Sequence, residues 1–247
     1  MKISIITVTY NSAVTIEHTM RSVLDQTYKN IEYIIIDGGS TDETLNIISK
    51  YKTQLGYFIS KKDKGIYDAL NNGIAAATGD IIGIIHSDDF YTSNTVIEQV
   101  AHQFAKTNCE AVYANLYYVD RTNTDKITRK WHSGNYTNGM FVNGWMPPHP
   151  TFFVKKEVYQ KYGAFNLNFK TSADYELMLR LIHKHKIRLS YLDEYIIKMR
   201  VGGQSNVSVN NRVLANMEDR KAWEVNGLTP RFYTLWLKPL RKISQFI

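Results

Sequence analysis

The amino-acid sequence predicts an α/β fold: a Rossmann-like, mostly parallel central sheet with helices on both faces, followed by a C-terminal helical extension. Three observations carry this. Short, β-branched, largely apolar runs at residues 3–8 and 31–36 and a fully apolar one at 81–85 alternate with segments of helical periodicity. Runs without polar alternation suit strands buried on both faces, as parallel strands are. At 247 residues, 44% of them hydrophobic, the chain can bury one sizeable core.

The elements follow in order. Residues 3–8 form a strand, with Asn11 and Ser12 as candidate caps of a helix whose apolar face is Ile16, Met20, Val23 and Leu24. The unit repeats as a strand at 31–36, the loop Asp37-Gly38-Gly39-Ser40-Thr41 and a helix from about 42 to 51. Residues 57–60 make a third strand, 67–77 a helix stopped by Gly79, and 81–85 a fourth strand. Beyond Asn94 the pattern is mixed: a helix to Lys106, β-like runs at 111–119 and 127–131, and a Gly-, Asn- and Pro-rich loop at 133–150. A strand at 151–154, a helix at 173–185, strands at 187–192 and 195–200 and a helical tail complete the pattern.

Composition narrows the function classes. Cys109 is the single cysteine, so no disulfide framework or thiolate cluster can form, and a reducing cytosol fits. The net charge of +7 is scattered and accompanied by no nucleic-acid-binding signature, so no nucleic-acid partner is expected. No stretch reaches the roughly 18 apolar residues of a spanning helix, and the first residues run into a strand instead of a signal peptide. The expectation is a cytoplasmic protein, soluble or peripheral on the inner face of the membrane. The tail at 229–247 places Arg231, Lys238, Arg241 and Lys242 among Phe232, Tyr233, Leu235, Trp236, Leu237, Leu240, Ile243, Phe246 and Ile247, with no acid. That mixture suits an anionic bilayer, or packing on the domain or on a second subunit.

In such sheets ligands bind outside the carboxyl ends of the strands, so the following loops hold the candidate chemistry. Asp37 ends an apolar strand, and the glycines after it let the backbone approach a ligand; a tight turn capped by Thr41 or Asp42 is the plainer alternative. A Gly-x-Gly-x-x-Gly dinucleotide fingerprint is absent. Asp88 and Asp89 follow an interior strand, where unpaired charge is costly, and oxygen ligands there suit Mg²⁺ or Mn²⁺ held jointly with substrate phosphates. Asp174 opens a helix with apolar positions Leu177, Met178, Leu181 and Ile182; it is a candidate acid or merely a cap. Glu176, two positions on, does not share its helix face. Asp63 and Asp68 flank a flexible approach to the third helix, and Pro147-Pro148-His149-Pro150 rigidly presents one histidine. Gly202-Gly203-Gln204-Ser205 is a further flexible turn.

Taken together, Ile3-Ser4-Ile5-Ile6-Thr7-Val8-Thr9-Tyr10-Asn11, Asp37-Gly38-Gly39-Ser40-Thr41-Asp42, the block at 63–73, Ser87-Asp88-Asp89 and Ala173-Asp174-Tyr175-Glu176-Leu177 resemble glycosyltransferase family 2, a family of A-type nucleotide-sugar transferases. The block at 63–68 resembles members that build bacterial surface polysaccharides (O-antigen, capsule or exopolysaccharide). The resemblance implies a catalytic domain at 1–205, with a nucleotide-sugar half at 1–92 and an acceptor half at 93–205, and an extension at 206–247. It implies that Thr7, Tyr10, Asn11, Asp37, Gly38, Asp68 and Asp88 contact a nucleotide-diphosphate sugar, a UDP-sugar first, and that Asp89 holds a divalent cation, Mn²⁺ or Mg²⁺. Asp174 would be the base that deprotonates a saccharide or lipid-linked saccharide hydroxyl in an inverting displacement. His149 and Glu176 would contact acceptor or diphosphate; many relatives carry an acid where this chain has Ala173, which leaves Glu176 as an alternative base. The competing expectations are a sugar-phosphate nucleotidylyltransferase and a non-catalytic nucleotide-binding scaffold.

Overall fold

The computed structural model describes residues 1–202, 209–241 and 245. Gly203, Gln204 and Ser205 of the Gly202 turn, and Lys242, Ile243, Phe246 and Ile247 of the tail, lie outside the described residues.

The first half is four parallel strands, β1 (Ile3–Thr9), β2 (Ile31–Asp37), β3 (Tyr57–Ser60) and β4 (Ile81–Ile84), in the order β3-β2-β1-β4. Helices α1 (Ile16–Leu24), α2 (Thr44–Ser49) and α3 (Ile66–Ala76) make the crossovers. The sheet continues through β8 (Phe153–Lys155), β6 (Ala111–Val119), β9 (Leu189–Arg200) and β5 (Phe90–Tyr91), while β7 (Ile127–Trp131) pairs with β6. This second half is mixed: β8 is antiparallel to both β4 and β6, and β9 is parallel to β6. The parallel character predicted for the sheet therefore holds strictly only through β4.

Strand alternation divides the core between two faces. Ile3, Ile5, Tyr33 and Ile35 pack under α1, Ile48 of α2 and α4 (Val96–Lys106). Ile6, Val8, Ile34 and Ile36 pack under α3, α5 (Lys156–Tyr162), α6 (Ala173–Met178) and α7 (Val209–Val225). Both faces of β1 and β2 are thus covered, which is why their sequences show no polar alternation.

Four elements depart from the expected pattern. The helix expected at 173–185 is α6 followed by a π-helical stretch, Leu179–Lys184. The two strands expected at 187–192 and 195–200 are the single β9, which passes through the exposed Asp193 and Glu194 with a register shift opposite Asn115. The strand expected at 151–154 begins as a 3-10 turn, His149–Thr151, before β8. The tail is not a separate appendage: Ala222 and Trp223 of α7 are buried in the core, and α8 (Thr234–Leu240) buries Leu235. Trp223 Nε1 donates to the Tyr175 hydroxyl at 2.9 Å.

Candidate functional site

The parallel register sets the loops after β1, β2, β3 and β4 along one edge, with Thr9, Asp37 and Ser60 level across three strands. Asp37 is fully buried. Its Oδ2 accepts from the Gly39 amide (3.0 Å), the Ser40 amide (2.9 Å) and the Ser60 hydroxyl (2.6 Å), while Oδ1 accepts from the Ser40 hydroxyl. These bonds shape the loop and saturate Oδ2, leaving Oδ1, with one donor, as the oxygen that retains acceptor capacity. Gly38 packs closely beside Asp37: a Cβ there would come within 2.7 Å of the Asp63 carboxylate, which would have to turn away.

Asn11, in the left-handed region at φ 48°, accepts at Oδ1 from the Thr41 amide (2.8 Å), tying the β1 loop to the β2 loop. Tyr10 is 56% exposed at this edge. Ser12 and Ser87 hydroxyls, 2.9 Å apart, join the β1 loop to the β4 loop. Asp68 Oδ2 accepts from the Lys64 amide (3.1 Å) at the start of α3. Thr7 does not reach the edge: it is fully buried, with its hydroxyl 3.0 Å from that of Tyr33, so its side chain belongs to the core and not to a base pocket.

The β4 loop carries the acidic pair. Thr19 donates its hydroxyl to the Asp89 carbonyl (2.7 Å), and the buried Arg200 guanidinium donates to the Asp88 carbonyl and lies 2.8 Å from His18 Nδ1. The loop backbone is pinned, yet the Asp89 carboxylate, 1% exposed, has no hydrogen-bond partner on either oxygen. Burial, with the Asp88 charge adding to it, pushes its carboxyl well above the usual carboxylate range. Two buried, unsatisfied carboxylate oxygens are expensive, and a hard cation would satisfy them. No group of three or more His, Cys, Asp or Glu suited to a metal exists among the described residues. The protein donor set therefore fits Mg²⁺ or Mn²⁺ only in the manner that borrows most ligands from phosphate and water.

Beside this loop opens a cavity of about 270 Å³, walled by Tyr67, Ile84, Phe152, Phe165 and Leu177 and supplied with polar atoms by His86, His149 and Asp174. His149 Nδ1 lies 3.3 Å from Asp174 Oδ2, and His149 Nε2 lies 2.9 Å from His86 Nε2. Burial raises the Asp174 carboxyl; the Lys238 charge, arriving from α8, opposes that shift. Burial pushes both histidines down to about 4, so both rings are neutral near pH 7.

Glu176 is excluded as the alternative base. It is 2% exposed, paired with Arg180 Nε at 2.8 Å and bonded to Asn226 Nδ2 at 3.0 Å, which makes it the link between α6 and α7. Three participants escaped the sequence reading. His86 was passed over beside its acidic neighbours. Arg200 looked like an ordinary strand end. Glu218 of α7 accepts from the Lys170, Thr171 and Ser172 amides at 2.7–2.9 Å, and so holds the turn that leads into the helix that carries Asp174.

Comparison with known proteins shows the family and the fold. The family model described as Glycosyl transferase family 2 matches residues 4–168. An uncharacterized glycosyltransferase of Mycobacterium tuberculosis is 30% identical over 180 residues, 72% of this chain and 68% of the relative. A PGL/p-HBAD biosynthesis glycosyltransferase of Mycobacterium bovis is 26% identical over 219 residues, 87% of this chain and 83% of the relative. Among solved structures, residues 1–349 of S. aureus TarS in complex with UDP-GlcNAc share the fold with a TM-score of 0.70 at 18% identity, over 92% of this chain but 65% of that one. The mannosyltransferase PcManGT from Pyrobaculum calidifontis, in complex with GDP-Man and Mn²⁺, does so with a TM-score of 0.67 at 15% identity, over 96% of this chain and 72% of that one. The chain belongs to glycosyl transferase family 2 and is a nucleotide-sugar transferase.

Proposed function

We propose that this enzyme is an inverting, metal-dependent transferase that moves a sugar from a nucleoside-diphosphate donor, a UDP-sugar first, to a hydroxyl of a saccharide or lipid-linked saccharide in bacterial cell-surface polysaccharide assembly. The observation that carries the reading is the pairing, around the end of β4, of an unsatisfied buried carboxylate, Asp89, with a cavity that Asp174 lines. UDP-GlcNAc in TarS, and GDP-Man with Mn²⁺ in PcManGT, support the donor class and the ion. The relative named for PGL/p-HBAD biosynthesis supports a role in envelope glycoconjugates.

In this reading Tyr10, Asn11, Asp37 and Gly38 form the nucleotide edge, with Asp68 and Asp88 toward ribose and sugar. Asp89 would hold Mn²⁺ or Mg²⁺ against the diphosphate, and the ion, when bound, supplies Lewis-acid stabilisation of the leaving group. Asp174 takes the proton of the acceptor hydroxyl as that oxygen attacks the anomeric carbon. One carbon–oxygen bond forms as the bond to the diphosphate breaks on the opposite face, so the configuration inverts. No helix among the described residues is long and apolar enough to cross a membrane. A peripheral contact is supported instead by Phe232, Trp236 and Leu240, exposed by 89%, 75% and 55% at four-residue spacing along α8 and its approach, with Arg231 and Arg241 alongside.

Calorimetric titration of UDP, dTDP and GDP with and without Mn²⁺ tests the donor site. Metal-dependent binding of one diphosphate is expected, and binding of none would overturn the proposal. Release of pyrophosphate from a nucleoside triphosphate would point to nucleotidyl transfer instead.

A further inference from the structure

The two histidines at the cavity are unrelated in sequence, yet the fold makes them neighbours. β4 and β8 run antiparallel with Ile81 opposite Lys155 and Ile82 opposite Val154. Continuing that register past the end of β4 brings His86 opposite the His149-Pro150 pair. The ring of His149 stands on a fixed base: the Thr151 amide and hydroxyl both bond the Pro148 carbonyl, at 3.0 and 2.9 Å, and the Phe152 amide bonds the His149 carbonyl at 3.1 Å. The two rings meet edge to face, with centroids 5.1 Å apart.

Hydrogen-bond counting fixes where the protons sit. A neutral imidazole has one N–H and one lone pair. An ionised Asp174 can only accept, so the nitrogen facing it, His149 Nδ1, must carry the hydrogen. His149 Nε2 is then a lone pair, and across 2.9 Å the His86 Nε2 must be the donor. An additional proton on either ring would place a cation among Ile84, Phe152, Leu177 and Met178, which line the same cavity. We propose that His149, set in its Nδ1–H tautomer by the Asp174 carboxylate on one side and matched by His86 on the other, is a positioning residue that holds Asp174 Oδ2 and leaves Oδ1 turned to the acceptor hydroxyl. The inference rests on the reading of Asp174 as the base. At 3.3 Å the two atoms are in close contact without hydrogen-bond alignment, and catalytic hydrogen bonds are often poorly aligned until substrate binds.

The test uses the full-length protein labelled with ¹⁵N-histidine. Long-range ¹H–¹⁵N correlation at pH 7.5 is expected to show His149 protonated on Nδ1 only and His86 on Nε2. His86→Phe, which removes the matching donor, is expected to raise the Nε2–H share of His149 without abolishing the Nδ1–H form that Asp174 favours. A wild-type His149 protonated on Nε2, or already mixed, overturns the proposal. Turnover gives an independent readout. His149→Ala is expected to lower kcat roughly tenfold to a hundredfold, the worth of one hydrogen bond to a charged acceptor, with donor KM unchanged. His149→Asn, whose amide nitrogen takes the place of Nδ1, should recover most of the loss, and His149→Gln should not. Equal losses in the Asn and Ala variants overturn the positioning role. Asp174→Asn, assayed alongside, separates the two failures: an active variant removes the base itself, whereas an inactive one with the wrong tautomers removes only the histidine's part.

Discussion

Removing Glu218 tests whether the C-terminal helices are part of the catalytic apparatus. Its carboxylate is 7% exposed and takes four bonds at the start of α6: the Lys170 amide on Oε1, and the Thr171 amide, Thr171 hydroxyl and Ser172 amide on Oε2. A hydrogen bond to a charged acceptor contributes about 1.5–3 kcal/mol. Four of them do not add, because water re-enters beside the truncated side chain and the turn relaxes. Glu218→Ala should therefore cost about 2–4 kcal/mol, above the range of a single lost cap. At about 2–4 °C per kcal/mol for a domain of this size, thermal unfolding should fall by roughly 5–15 °C. Glu218→Gln keeps the three bonds on one oxygen and sets its amide against the Lys170 N–H, so its loss should be about 1–2 kcal/mol.

The pH dependence has a definite sign. Burial alone would raise the Glu218 carboxyl, but the bonds from Lys170, Thr171 and Ser172 outweigh it, and the net shift is downward from 4.5. A depressed folded-state value contributes stability that is present above the unfolded value and lost as pH falls through the folded one. The wild type should accordingly lose its advantage over Glu218→Gln below about pH 4.5. Urea denaturation of the three proteins across pH, with turnover measured on the same samples, is the assay. Asp174 lies two residues past Ser172, and a displacement near 1 Å can cost on the order of a hundredfold in rate. An alanine variant that loses less than about 1 kcal/mol, below the mildest capping and charge-assisted losses, with full turnover, would refute the argument.

Further outcomes are expected from the site itself. Asp174→Asn should lower turnover by about 10²–10⁴-fold while sparing nucleotide binding; retention of more than roughly a tenth of the rate, far above that range, would move the base elsewhere. Asp89→Asn should abolish metal-dependent nucleotide binding in calorimetry yet leave the metal-free protein at least as stable, since burial already disfavours the charged form of that carboxyl. Because burial raises Asp174 and the Lys238 charge opposes it, Lys238→Met should move the acid limb of the pH–rate profile upward. Gly144→Ala should cost about 1–3 kcal/mol by calorimetric unfolding. The residue sits at φ 74°, and a Cβ would come 2.5 Å from the Lys238 nitrogen on α8.

The parts legible in the sequence were those whose causes are local. β1, β2 and β4 are Ile-rich runs because both of their faces are covered, and Asp37, Asp88 and Asp89 come at or soon after their ends. The parts that escaped depend on distant partners. α5 is seven residues, Lys156–Tyr162, too short to show a period, and ends at Gly163 in the left-handed region. β9 reads as two strands because Asp193 and Glu194 are at its exposed bulge. The tie between His86 and His149 spans 63 residues, and that between Glu218 and Ser172 spans 46. Asp174 and Glu176 look alike in sequence; Arg180 and Asn226, which occupy one and leave the other free, separate them.

The short strand β8 carries a further consequence. It is three residues long, yet it bonds to β4 on one side and to β6 on the other, so the first and second halves of the chain share one unbroken hydrogen-bonded sheet. There is no hinge at that seam: a clamshell opening of the halves would have to tear ladder bonds and expose Phe153 and Val154, both fully buried. Whatever admits the sugar donor and expels the spent nucleotide must then be loop movement over a rigid floor, centred on segments such as 61–65, whose amide hydrogen bonds, among the described residues, run only to the adjoining turns at Asp37, Asp63 and Asp68. Stiffening that stretch, rather than the seam, is the change that should slow product release.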